Sequence, residues 1–167
     1  MMTAVKTNWR TPRRLAAMLL IGLALSACSK AYIPNTDVRD TSENRKVILF
    51  CEEYRHAVEE KNVGWLLKMA SPRYHEDGAN MNDADDLDYA GLRDYLTTKF
   101  VKATAIRYEI RYRRVTITPL QQVLVDYTYA ASYKIPGAKG EEWKHTVGDN
   151  QLELKIEGEG FKILAGM

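Results

Sequence analysis

The residues with the most specific chemistry lie near the N-terminus, at Leu25-Ser26-Ala27-Cys28. Small residues at 26 and 27 let a chain lie extended in a peptidase groove, and the Cys28 thiol can carry a lipid. The preceding apolar run, residues 15–24, is too short to cross a hydrocarbon core of ~30 Å as a helix. It follows a positive segment that contains Lys6, Arg10, Arg13 and Arg14. This order predicts a cleaved export signal that ends in a lipobox, with Cys28 as the lipidation site.

This lipobox predicts three segments: a lipoprotein signal peptide at 1–27, the lipidated Cys28 with a flexible tether at 28–41, and one domain at 42–167. Ser29 is compatible with transport to the outer membrane of a Gram-negative cell, on the side that faces the periplasm. One alternative is an ordinary secretory signal with a chance cysteine. The Arg13-Arg14 pair also raises twin-arginine export, although the residues after it lack the rest of that motif.

The signal segment accounts for the basic balance of the whole chain, which has 24 basic and 22 acidic residues. Four of the basic residues and none of the acidic ones precede Cys28, which leaves 20 basic against 22 acidic residues after cleavage. The balance of −2 gives no reason to expect a nucleic-acid partner. Acylation of Cys28 would leave Cys51 as the remaining thiol, so we expect no disulfide within the chain and a buried Cys51 side chain.

The acidic run Asp83, Asp85, Asp86 and Asp88 has the composition of a calcium loop. It lacks the ligand order of an EF-hand, with Leu87 at a ligand position and no closing glutamate in register. A solvated loop followed by a helix cap is the expected structure. The sequence contains no glycine-rich phosphate loop, zinc spacing or Ser/His/Asp order. We therefore expect neither a metal nor a cofactor.

The elements that would position a site follow from the hydrophobic periodicity. Apolar residues recur at helical steps in three stretches, and the first helix begins at a capping box of Asp40 and Glu43, with Ser42 as a competing cap. From residue 104 the period becomes two, which predicts four antiparallel strands. A phase slip near Arg113-Arg114 predicts a β-bulge. This order predicts an α+β domain, with three N-terminal helices packed on one face of a curved, bent antiparallel sheet.

Three stretches of the predicted domain resemble the nuclear-transport-factor-2-like (NTF2-like) superfamily, which includes the SnoaL-like polyketide cyclases. They are AVEEKNVGWLLKMASPRYHEDG, which starts at the end of the first helix, YAGLRDYL in the third helix and FKILAGM in the last strand. The resemblance implies a cone-shaped pocket between the helices and the concave face of the sheet. Candidate pocket-lining residues are Tyr54, Trp65, Tyr74, Tyr108, Tyr127 and Trp143.

Enzymatic members of this superfamily place an Asp or His base inside the cone, which makes two histidines candidates. His145 shares strand parity with Trp143, which predicts an inward side chain, and His75 follows Tyr74 at the start of the polar loop. Asp126 alternates with the apolar side of its strand and is expected to face away. No Asp–His pair stands out at a spacing typical of the enzymes.

Two functions are therefore predicted as alternatives. The first is a non-enzymatic envelope lipoprotein that binds a small apolar ligand or a protein partner in its cone or on its open sheet face, with a homodimer through the sheet as one form. The second is a SnoaL-like isomerase, cyclase or dehydratase with His145 or His75 as its base. In both, the lipid on Cys28 makes the membrane a partner.

Overall fold

The structure is a computed structural model that describes residues 31–77, 86–138 and 140–167. The chain divides into two units, Met1–Ala31 and Tyr32–Met167. The predicted export signal and the predicted lipidation site at Cys28 lie outside the described residues, as do Asp83 and Asp85 of the acidic run. The helices and strands below belong to the second unit.

The described part of this unit contains three α-helices, α1 (Ser42–Glu59), α2 (Val63–Met69) and α3 (Tyr89–Thr98), the last followed by a 3₁₀ turn at Phe100–Lys102. Asn62 and Asp88 cap α2 and α3 through their side chains, and the cap at Asp88 is the one expected after the acidic run. The cap of α1 is Thr41, and not Asp40 or Ser42. The Asp40 carboxylate instead accepts hydrogen bonds from Arg45, so it is not available to the first turn of the helix.

The strands form two antiparallel sheets. β1 (His75–Glu76) pairs with β2 (Leu87–Asp88) between α2 and α3. The larger sheet has the order β3-β4-β5-β6, with β3 at Ala105–Ile117, β4 at Gln122–Gly137, β5 at Gly140–Glu157 and β6 at Gly160–Ala165. The register of β3 against β4 shifts between Tyr112 and Arg114, which confirms the predicted bulge. β6 pairs with only the last part of β5, from Glu153 to Glu157.

The helices pack on one face of the larger sheet, here called the inner face, and this confirms the predicted α+β class. Buried residues of α1 meet alternate residues of β4 and β5, among them Val47, Cys51, Tyr54, Val123, Val125, Leu152 and Leu154. Cys51 has an exposed fraction of 0%, as expected for a small buried hydrophobe. Burial, and then the neighbouring Glu52 carboxylate, raise the pKa of this thiol, so it stays protonated and unreactive in the folded chain.

Residues 32–41, which the sequence assigned to a tether at 28–41, belong to the compact unit Tyr32–Met167. Tyr32 and Arg39 form an antiparallel bridge around a tight turn, and Val38 is buried in the core. The Asp37 N–H donates to the Tyr112 carbonyl of β3 at 2.9 Å. The burial of one apolar side chain and a backbone hydrogen bond fix this segment, which the sequence alone presented as polar and without periodicity.

The predicted inward direction of His145 is wrong. The β4–β5 register continues without a shift and pairs His145 with Ser132, whereas the buried Leu152 and Leu154 lie at even positions of β5. His145 and Trp143, at odd positions, therefore lie on the opposite face of the sheet, here called the outer face. The alternation itself never breaks in β5. What changes near residue 149 is the face that carries the apolar side chains.

Candidate functional site

Tyrosines occupy the inner face of the sheet where the sequence predicted a cone. Tyr54 comes from α1, Tyr108 from β3, and Tyr127 and Tyr129 from β4. The rings of Tyr54 and Tyr108 meet edge to face with centroids 6.2 Å apart, and Tyr108 lies 5.9 Å from Tyr129. Such geometry is typical of packed aromatic rings, and it joins the helix layer to the sheet.

A hydrogen-bond network closes one side of this cluster. The Tyr127 hydroxyl accepts from Asn150 Nδ2 at 3.1 Å and donates to the Gly166 carbonyl at 3.4 Å. The Tyr74 hydroxyl donates to Glu76 Oε2 at 3.3 Å, and the Gly166 N–H donates to the same carboxylate. Asn150 also donates to the Gly166 carbonyl at 3.2 Å. In the described part of the chain, every buried side-chain polar atom has a hydrogen-bond partner.

Burial sets the electrostatics of the cluster. It raises the pKa of Tyr54 well above the usual value, and the neighbouring Tyr108 and Tyr127 raise it further. Burial is also the first cause of the raised pKa values of Tyr74, Tyr108 and Tyr127. All four phenols are therefore neutral at physiological pH. They can donate and accept hydrogen bonds and present aromatic faces, but they do not supply a base.

Two of the predicted lining residues lie away from the tyrosine cluster. Trp65 is at the start of α2, beside Lys68, whose Nζ lies 4.6 Å from the centre of the indole ring. Trp143 is on the outer face, with an exposed fraction of 42%. The four tyrosines predicted as lining residues, Tyr54, Tyr74, Tyr108 and Tyr127, are buried.

His75 lies at the rim of the domain. It is in β1, paired with Asp88 of β2, and its side chain is exposed. Its Nε2 is 3.9 Å from the Asp86 carboxylate, which is within the range of an ion pair and too far for a hydrogen bond. Tyr74, the preceding residue, points instead to the interior. His75 thus has an acidic neighbour but lies outside the buried tyrosine cluster.

His145 belongs to a shallow pocket of about 260 Å³ on the outer face, lined by Arg107, Ser132, Trp143 and His145. The Ser132 hydroxyl and His145 Nδ1 are 2.8 Å apart. The Trp143 ring lies nearly parallel to the imidazole, and the Arg107 guanidinium is 5.5 Å from the indole centre. This arrangement suits contact with a planar or anionic group.

A wider cleft of about 810 Å³ lies beside the β3 bulge on the same sheet. The bulge brings Arg113 and Arg114 side by side. Arg114 donates to Asp126 at 2.7 Å, and Arg113 donates to the Thr128 hydroxyl at 2.9 Å. A hydrogen bond from Gln151 and the Arg114 guanidinium lower the pKa of Asp126. The outward position predicted for Asp126 is confirmed, because it pairs with Arg114 and with Gln151 away from the core.

Within residues 31–77, 86–138 and 140–167, no group of three or more His, Cys, Asp or Glu side chains could hold a metal ion. Across these same ranges, no helix is long and apolar enough to span a membrane.

Solved structures resemble this arrangement of helices on an open, bent sheet. A proposed dehydratase of the NTF2-like family from Streptomyces avermitilis superposes with a TM-score of 0.62 at 11% identity, over 75% of this chain and 94% of that one. The chain has the NTF2-like fold. The Kfla4162 protein from Kribbella flavida gives a TM-score of 0.62 at 13% identity, over 75% of this chain and 88% of that one. A proposed scytalone dehydratase from Novosphingobium aromaticivorans gives a TM-score of 0.62 at 8% identity, over 74% of this chain and 80% of that one.

No protein-family model and no curated protein matches the chain. At these identities the structural likeness establishes the fold and leaves the activity to the residues of this chain.

Sequence reasoning missed three participants in the interior network: Asn150, Glu76 and Gly166. A signal for Asn150 was present, because counting back by two from Leu154 and Leu152 reaches it on the inner face of β5. Glu76 had no such signal, since two-residue strands are too short to show a period. Gly166 takes part through its backbone, which residue type does not reveal.

Proposed function

We propose that this chain is an envelope lipoprotein whose NTF2-like domain acts by binding a protein, a second copy of itself, through the outer face of the sheet. The observation that supports this best is the exposed apolar surface on β5. Val147 has an exposed fraction of 75% and lies on the same face as Trp143. Apolar side chains of this size on an open sheet face are typical of an interaction surface.

Charge complementarity favours a second copy as the partner. The outer face of β3 carries four arginines and one glutamate, Arg107, Arg111, Arg113, Arg114 and Glu109, whereas that of β5 carries four carboxylates and one lysine, Glu141, Asp149, Glu153, Glu157 and Lys155. A two-fold axis parallel to the strands, between two facing sheets, places β3 of one copy opposite β5 of the other. Arg107 and Arg114 then face the acidic strand of the other copy, twice in the dimer, whereas Arg111 and Arg113 turn to Asp37 at the free edge of β3.

The interior supports a binding function over an enzymatic one. The tyrosine rings pack against each other and their hydroxyls are neutral, whereas a general base needs a pKa close to the working pH. A small apolar ligand in the cone is the other non-enzymatic form of this proposal. It requires the Tyr54, Tyr108 and Tyr127 rings to move apart.

Native mass spectrometry of the protein purified from the envelope of its own host tests both forms. We expect a dimer in the wild type and a monomer in Val147→Arg, because the new guanidinium would be buried without a partner. Leu49→Arg is the matched control: Leu49 is also an exposed apolar residue, on α1, with an exposed fraction of 66%. A monomer that retains a small molecule would favour a ligand bound in the cone. A monomer without a bound small molecule would contradict both the dimer and the ligand proposals.

One observation favours an enzymatic alternative, in which His75 is the base of a SnoaL-like isomerase, cyclase or dehydratase. His75 lies 3.9 Å from Asp86, and solved structures of this fold include proteins named as proposed dehydratases. In that case His75→Gln would abolish turnover of a cyclic hydroxy-ketone substrate while leaving thermal stability unchanged. His145→Gln is the control, because His145 lies on the outer face.

The anchor is proposed from the sequence of the lipobox. Acylation at Cys28 predicts that the mature protein begins at residue 28 and partitions into membranes, with Ser29 favouring the outer membrane and the periplasmic side. Growth with an alkyne-bearing palmitate followed by mass spectrometry of the N-terminal peptide checks this directly. The Cys28→Ser variant should lose the label and the membrane association; a labelled Cys28→Ser protein would contradict the assignment.

A further inference from the structure

The folded domain begins very close to the proposed lipid. Tyr32 forms a bridge with Arg39, and the Ile33 N–H donates to the Val38 carbonyl at 2.9 Å. Three residues, 29–31, separate Cys28 from Tyr32. An extended chain spans about 3.3–3.6 Å per residue, so the four steps from Cys28 to Tyr32 reach about 14 Å at most. A tether of this length fixes which side of the domain stays near the bilayer.

That side carries a basic surface, here called the anchor-proximal surface and defined by Tyr32, Asp37, Arg39, Arg111 and Arg113. It holds three arginines and one carboxylate. Asp37 accepts from Arg111 at 2.8 Å and from Arg113 at 2.9 Å, and these two hydrogen bonds hold its pKa below the usual value. The carboxylate is therefore ionised at neutral pH, and the surface keeps a net charge of +2.

The side chains of this surface are open to solvent. Tyr32 has an exposed fraction of 54%, and Arg111 and Arg113 are exposed although both contact Asp37. A guanidinium has five N–H donors. Among the described contacts Arg111 donates one hydrogen bond, to Asp37, so most of its donors remain available to an outside acceptor.

We infer that the anchor-proximal surface is the membrane-facing surface of the domain, and that its partner is the anionic phosphate headgroups of the bilayer that holds the lipid. The inference rests on the proposed acylation of Cys28. Arginine binds phosphate through paired N–H donors, and an exposed tyrosine is typical of the interface between water and hydrocarbon. A tether of three residues keeps the local headgroup concentration high without any further contact.

The two ends of α1 lie at different distances from Arg39, which gives a reference along the helix. It starts at Ser42, three residues after Arg39, and its 18 residues span about 27 Å at 1.5 Å per residue. At its far end Lys61 Nζ donates to the Ala103 carbonyl at 2.6 Å, so Lys102 lies near that end. The two ends of α1 should therefore differ in their access to a bulky reagent.

The experiment compares two single-cysteine sites in the full, acylated chain, reconstituted in vesicles of phosphatidylethanolamine and phosphatidylglycerol. Ser42→Cys is nearly isosteric and leaves every arginine of the surface in place, and Lys102→Cys is the distal control. Both are labelled with a maleimide that carries a 5 kDa polyethylene glycol, in vesicles and in detergent micelles. Cys51 adds little background because it is fully buried.

We expect labelling of Ser42→Cys to be about tenfold slower in vesicles than in micelles, and that of Lys102→Cys to change less than twofold. Adding Arg39→Glu should restore much of the Ser42→Cys rate in these vesicles and have little effect in vesicles of phosphatidylcholine. Equal rates at both sites in a chain whose mass shows the acyl group would overturn the orientation and leave the anchor intact. A mass without the acyl group would overturn the anchor, and the orientation with it.

Discussion

The tyrosine cluster makes a quantitative prediction at Tyr127. Its exposed fraction is 1%, and its hydroxyl bonds to Asn150 and to the Gly166 carbonyl. In Tyr127→Phe the Gly166 carbonyl keeps the Asn150 amide as a donor, so no buried carbonyl is left unpaired. The expected loss in the free energy of unfolding is therefore the modest one of about 1 kcal/mol.

Removal of the whole Tyr127 ring should lower the free energy of unfolding by much more. Tyr127→Ala takes a packed aromatic ring out of the interior, and such substitutions lower the free energy of unfolding by about 3 to 5 kcal/mol when the neighbours cannot close the cavity. Urea unfolding followed by circular dichroism measures both variants. Tyr95→Ala on α3 is the control, because Tyr95 has an exposed fraction of 42%. This substitution should lower the free energy of unfolding by no more than about 0.5 kcal/mol.

The comparison distinguishes a packed interior from an open pocket. If Tyr127→Ala cost less than about 1 kcal/mol, the ring would not be supporting its neighbours, and the packing argument for a non-enzymatic interior would fail. If Tyr127→Phe lowered the free energy of unfolding as much as Tyr127→Ala does, the hydroxyl would supply most of the stabilisation. That result would refute the assignment of most of the energy to the ring.

Three further outcomes are expected. The hydrogen bonds from Arg111 and Arg113 hold the folded-state pKa of Asp37 below its usual value, so the ionised carboxylate stabilises the fold above that usual value and this effect is lost as the pH falls through the lower folded-state pKa. Thermal melts across pH should therefore show Asp37→Asn less stable than wild type near neutrality and equal to it in strong acid. Cys51 should resist Ellman's reagent in the folded Cys28→Ser protein and react once in urea; rapid reaction without urea would contradict its burial. Gly166→Ala should lower the urea midpoint of the domain strongly, since φ is +87° and a Cβ would overlap the Gln151 carbonyl oxygen of β5. An unchanged urea midpoint would contradict this close approach of the two backbones.

Local patterns in the sequence were enough to predict most of the elements. The period-two run through Tyr108 and Tyr127 predicted β3 and β4, and the phase slip near Arg113 predicted the bulge, because both depend on neighbours along the chain. The caps at Asn62 and Asp88 follow from the same local chemistry.

What the sequence could not predict depends on contacts between distant segments. The direction of His145 is set by the register of β5 against β4, and the alternation within β5 is the same for either face. The folded turn around Val38 depends on a hydrogen bond to β3, 75 positions away from Asp37. The N-cap of α1 is Thr41 and not the predicted Asp40, because the Asp40 carboxylate pairs with Arg45.

The short β6 leaves part of β5 without a neighbouring strand. Among the described residues β6 pairs with β5 only from Glu153 to Glu157, so the backbone N–H and C=O groups of the earlier half of β5 form an open edge on that side. An open edge can recruit a strand from another molecule. Glu141, Glu142 and Lys144 stand along this half of β5, and Glu142 and Lys144 form an ion pair at 3.3 Å. Charges at such an edge disfavour fibrous self-assembly, so the charged half of β5 opposes an aggregate that the topology of the sheet would otherwise permit.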